Sequence, residues 1–124
     1  MASTMNAALE ERIEVFEGAG IPRQRLIIDP GMGGGLSTEE TLAILHALAL
    51  FHGLGCVLFA DCVGIGGAVG STSASGGRRL DGSDVAFAAL MQGAQIISVN
   101  ETARAWAAAS AFRALAAAQF KESE

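Results

Sequence analysis

Three short apolar runs each close on residues able to bind a ligand. Asp29 follows residues 26–28, Asp61 follows residues 56–60, and Ser98 and Asn100 stand at the end of residues 95–99. A strand buried on both faces offers an acid no water until the chain emerges. Asp29 therefore belongs at a strand's exit, where α/β proteins hold their ligands. Together the four residues can form a small polar ring. Two carboxylates and an amide suit a hard cation such as magnesium with waters, although no third acid joins them. The plainer alternative is that strand ends are polar because they meet solvent. Asp29 precedes Pro30-Gly31, so it can also serve only its own turn, accepting backbone N–H bonds.

Two glycine clusters, GMGGGL at residues 31–36 and GIGGAVG at residues 64–70, invite comparison with phosphate-binding loops, in which N–H groups converge on an anion. Neither ends in Gly-Lys-Ser/Thr, and a loop over the site is the simpler reading of residues 62–77. His46 falls off the apolar stripe of its helix and reads as solvated. His52 falls at a helix end, where the dipole favours an imidazolium. Trp106, among alanines, suits an anchor at a subunit contact. Cys56 and Cys62 point the same way along one strand with no matching His pair, so free thiols in a reducing cytoplasm are expected, and no metal site.

The elements that must position these groups are legible from periodicity. Residues 6–18 carry Leu9, Ile13 and Phe16 at helical spacing and stop at Gly18-Ala19-Gly20. A short strand at 26–28 precedes a capping-box spacing, Ser37 to Glu40, which opens a helix with Thr41, Ile44, Leu48 and Phe51 on one face. Residues 56–60 form a second strand, 81–93 a helix, and 95–99 a third strand. An alanine-rich helix over 101–119 follows, with Ala105, Ala108, Phe112 and Leu115 along one stripe. One helix followed by three strand–helix units implies an α/β fold with parallel strands and both sheet faces covered. Three strands make a narrow sheet with two bare edges, and the same string is what the last part of an eight-fold βα barrel looks like.

The chain has 124 residues, enough for one small domain, and 51% are hydrophobic, yet no run nears the ~18 apolar residues of a membrane span. The net charge is −5 with a single lysine, Lys121, so no basic stripe exists for nucleic acid or an anionic membrane. Hydrophobic surface to hide points to a subunit contact.

The runs EERIEVFEGAGIPRQRLIIDPGMGGG, LALFHGLGCVLFA and RRLDGSDVAFAALMQGAQIISVNETARA resemble, in order and spacing, the C-terminal part of dihydropteroate synthases, the pterin-binding barrel family of folate synthesis. The similarity runs from about Glu10 to Lys121 and corresponds to the last three βα units of a barrel of about 250 residues. The resemblance implies a partial TIM-type barrel. Family enzymes join a pterin diphosphate to p-aminobenzoate with magnesium assisting, and the acid carried over here as Asp29 binds the pterin. A carboxylate suits that work because it accepts two hydrogen bonds from an amino-pyrimidinone edge.

The departures point away from catalysis. Where the family has Ser-Arg-Lys after the next strand, this chain reads Asp61-Cys62-Val63-Gly64-Ile65. Where the family places Arg-x-His against the leaving diphosphate, it reads Ser98-Val99-Asn100. Neutral donors do not offset a diphosphate's charge as a guanidinium does. In the glycine turn, Gly34 and Leu36 replace an aromatic and a lysine, and the family's groups on earlier strands have no counterpart. The expectation is a single, cut-down pterin-binding-like domain over residues 1–124, catalytically inactive, with weak pterin affinity at Asp29 and no cofactor. Its incomplete barrel would be covered by a homodimer or a partner half-barrel. One alternative is part of a composite synthase, needing magnesium and a partner chain; another is a module docking on another barrel protein.

Overall fold

The computed structural model describes residues 2–32, 35–63 and 82–122. Gly33, Gly34, the whole GIGGAVG cluster and Arg79 to Asp81 lie outside the described residues. Helix α1 (Ala2–Gly18) leads through a 3-10 turn (Arg23–Arg25) into strand β1 (Ile27–Ile28). Helix α2 (Thr38–His46) continues as a 3-10 segment (Leu48–Leu54) before β2 (Val57–Asp61). Then come α3 (Gly82–Met91), β3 (Ile96–Ser98) and α4 (Thr102–Glu122). The described strands form one parallel sheet in the order β1-β2-β3, with Ile27 beside Val57, Phe59 beside Ile96 and Asp61 beside Ser98.

Local chemistry explains the boundaries. At the end of α1, Gly20 takes φ +92° and Ile21 N–H reaches back to Phe16 O at 3.0 Å, while Gly20 N–H bonds Glu17 O, a Schellman closure. The capping box of α2 forms as its spacing predicts: Ser37 Oγ accepts from Glu40 N–H at 3.1 Å and Glu40 Oε2 from Ser37 N–H at 2.8 Å. The single helix read through Phe51 is instead divided at Ala47, although Thr41, Ile44, Leu48 and Phe51 are all buried on one side.

One face of the sheet carries the core. Ile28, Cys56, Leu58, Ala60 and Cys62 alternate onto it and are buried together with Ile44, Leu48, Phe51, Leu54, Val85 and Ala89. Each fully buried large aliphatic or aromatic side chain contributes about 1.5–3 kcal/mol. The opposite face corrects the expectation of a sheet covered on both sides, because Ile27 is 60% exposed and Ile96 40% exposed. Three staves of an eight-stave barrel place no further strand among the described residues opposite these lumen residues. Two further stripes are less buried than their periodicity predicts: Phe16 on α1 and Leu115 on α4 are about half exposed.

Arg23 ties α1 to the sheet layer. Its guanidinium pairs with Glu10 and Glu17 and donates to Leu54 O at 2.8 Å. The hydrogen bonds that Arg23 donates hold the Glu10 carboxyl below its ordinary value of 4.5, and donating to Glu10 and Glu17 pushes the pKa of Arg23 up. A lowered carboxyl pKa contributes stability above the ordinary value and loses it as pH falls through the folded value. Thermal melts between pH 3 and pH 7 should therefore show a steeper acid loss for the native chain than for Arg23→Ala. The groups are solvated, so the difference should be small, and identical acid limbs would contradict the tie.

Candidate functional site

The C-terminal ends of the strands bring three of the four predicted polar residues together. Asp61, half-buried at the end of β2, accepts through Oδ1 from Ser98 Oγ at 2.7 Å and from Val63 N–H at 3.0 Å. Asn100 Nδ2 donates to Val63 O at 2.8 Å. The register places Asp61 opposite Ser98, and Cys62 N–H bonds Ser98 O at 3.0 Å, so the side-chain bonds extend the backbone ladder past the strand ends.

Asp29 makes none of these bonds: it follows β1, on the other side of β2 from β3. It is exposed; its Oδ1 accepts from Gly31 N–H at 2.8 Å, closing the Asx turn that Asp before Pro-Gly favours. The described residues supply no hydrogen-bond partner for Oδ2. Asp29 lines a cleft of about 250 Å³ with Met5, Leu9, Arg12, Pro30 and Gly31. Arg12 was not among the predicted site residues. Its signal lay in the α1 pattern, where it follows Leu9 by three and so shares that residue's side of the helix.

Among the described residues no three His, Cys, Asp or Glu side chains gather into a metal-binding group. Among the described residues a hard cation at Asp61 would find one carboxylate, with Oδ1 already accepting twice, a donor set that does not fit magnesium.

Cys56 and Cys62 are free and buried on the core face, with Sγ 3.8 Å from Leu54 O and 3.7 Å from Ala60 O. Burial pushes the Cys62 thiol up to about 11 and raises Cys56 as well, so both are neutral packing groups at physiological pH. His46 is exposed in the last turn of α2, and Trp106 is 71% exposed on α4. His52 is exposed at the end of the 3-10 segment, with its ring against Gly93.

Parallel strands linked by helices, with Asp29, Asp61, Ser98 and Asn100 at or just past their C-terminal ends, define an α/β protein of the partial-barrel kind. A family model described as pterin binding enzyme matches residues 1–100, and the chain belongs to that family. The structure is similar to dihydropteroate synthase from Xanthomonas albilineans solved with 7,8-dihydropteroate: TM-score 0.77, 29% identity, 94% of this chain and 45% of that one. The same enzyme with 4-aminobenzoic acid matches at TM-score 0.72 and 30% identity, covering 95% and 45%. A Yersinia pestis dihydropteroate synthase with a pterine-sulfa conjugate shares the fold at TM-score 0.75 and 24% identity, over 94% and 46% of the two chains. A probable bifunctional folylpolyglutamate synthase/dihydropteroate synthase of Halobacterium salinarum is 49% identical over 39 residues, which is 32% of this chain and 5% of that protein. The chain thus spans less than half the length of the Xanthomonas synthases. No helix among the described residues is long and apolar enough to cross a membrane.

Proposed function

We propose that this chain binds a pterin at Asp29 and does not turn it over. The observation that carries the reading is the contrast between its strand ends. Among the described residues nothing bonds Asp29 Oδ2, and Asp29 lines a cleft that Arg12 also lines. Asp61, which opens the segment that replaces the resembled synthases' Ser-Arg-Lys, accepts from Ser98 and from Val63 N–H, and Asn100, which with Ser98 replaces their Arg-x-His pair, donates to Val63 O. An exposed carboxylate can accept two hydrogen bonds from an amino-pyrimidinone edge. An acid and two neutral groups give a departing diphosphate no charge compensation. At about 250 Å³ the Asp29 cleft falls below the ~300 Å³ typical of small-molecule sites, so the ligand is only partly covered and affinity is weak.

Calorimetric titration with 6-hydroxymethylpterin should give a dissociation constant near the millimolar range, on the order of −4 kcal/mol. Asp29→Ala should weaken it by about tenfold, the effect of one charge-assisted pair. No heat from the native chain at millimolar ligand, or equal binding by Asp29→Ala, would sink the reading. Condensation of a pterin diphosphate with p-aminobenzoate at a rate above the uncatalysed reaction would refute the absence of turnover.

A further inference from the structure

We infer that the slot between the free edge of β1 and helix α1 is a docking site for the complementary half of a βα barrel, entered by a parallel strand. The inference rests on other observations than the pterin reading, although Leu9, Arg12 and Asp29 line both this slot and the Asp29 cleft. The slot, about 220 Å³, is walled by Leu9, Ile13 and Phe16 on α1 and by Ile27 and Ile28 on β1. Ile27 and Ile28 point to opposite faces of the sheet, so a slot lined by both runs along the strand's edge.

The edge is also chemically prepared. Val57 N–H bonds Leu26 O at 3.3 Å, which turns the peptide groups of Leu26 and Ile28 toward β2. Alternation then turns the N–H and C=O of Ile27 outward, to the side where β1 has no neighbouring strand among the described residues. Such an edge accepts an added strand through main-chain hydrogen bonds, while the α1 wall receives its apolar side chains.

Two observations select a half-barrel over a lone peptide. An added strand would satisfy the edge of β1 but would leave Ile27 and Ile96 facing solvent from the lumen side. A further set of staves covers the edge and the lumen together, because barrel interiors are filled by side chains from all the strands. The Xanthomonas synthases that match 94% or more of this chain continue for more than half their length beyond the matched part.

The test is co-expression of this chain with a tagged segment of the Xanthomonas albilineans synthase comprising the part this chain leaves uncovered. Capture through the tag, followed by light scattering, should show a one-to-one complex. Hydrogen exchange at the Ile27 amide should slow in the complex. Ile27→Pro removes the outward N–H that an edge strand can spare, and Phe16→Asp charges the helical wall. Each should cut capture by on the order of tenfold, as loss of an interface anchor does, while the circular dichroism of the free chain stays unchanged. No capture, capture unaffected by both variants, or a homodimer of this chain whose Ile27 amide is protected without the partner would each overturn the inference.

Discussion

Phe51→Ala should leave most of the chain unfolded at physiological temperature, the largest effect expected of any single truncation. Phe51 is fully buried in the 3-10 segment and shares one core cluster with Ile13, Ile44, Leu48 and Leu54. Replacing a buried phenylalanine by alanine costs about 3–5 kcal/mol, the lost transfer energy plus the cavity. Domains have about 5–15 kcal/mol in total, and a short chain whose sheet is covered on one face belongs at the low end. Phe51→Leu keeps most of the volume and should retain a cooperative transition. Urea unfolding followed by circular dichroism measures both. A loss below about 1 kcal/mol for the alanine variant would mean that the 3-10 segment lies outside the cooperative core.

What the sequence made legible follows from which interactions are local. Capping at Ser37 and Glu40, the Asx geometry of Asp29 and the order of strands and helices depend on neighbours within a few residues, and each is visible in composition and spacing. Placing Asp29, Asp61, Ser98 and Asn100 at strand ends suggested one polar ring, whereas the register brings Asp61 onto Ser98 and leaves Asp29 without a bond to either. Burial was less legible because it depends on what lies across the sheet. Residues 26–28 read as a strand hidden on both sides, yet Ile27 is hidden only if other staves face it. The break of α2 at Ala47 also escaped periodicity, since a 3-10 segment can keep Leu48 and Phe51 on the buried side. Neither Arg12 nor Arg23 stood out from spacing or composition. One lines the cleft of Asp29 and the other binds Glu10, Glu17 and the Leu54 carbonyl, partners up to 31 positions away.

Gly93→Ala should destabilise the chain by about 1–3 kcal/mol, the cost of holding a side-chain-bearing residue at strongly positive φ. Gly93 has φ +100° and closes α3: its N–H bonds Leu90 O at 3.0 Å and Ala94 N–H reaches Ala89 O at 2.9 Å. That closure needs the left-handed residue glycine supplies. A second conflict is steric, because a Cβ at this position would lie 2.1 Å from His52 Nε2 and 3.1 Å from two ring carbons. The ring is exposed at the end of the 3-10 segment and can swing away, so the backbone cost should dominate. A double-mutant cycle separates the two contributions. His52→Ala alone should change stability by less than about 0.5 kcal/mol, as exposed substitutions usually do. Combined with Gly93→Ala it should recover only the steric share, leaving most of the loss in place. Full recovery in the double variant would show instead that the packing of His52 against Gly93, and not the turn out of α3, demands a glycine.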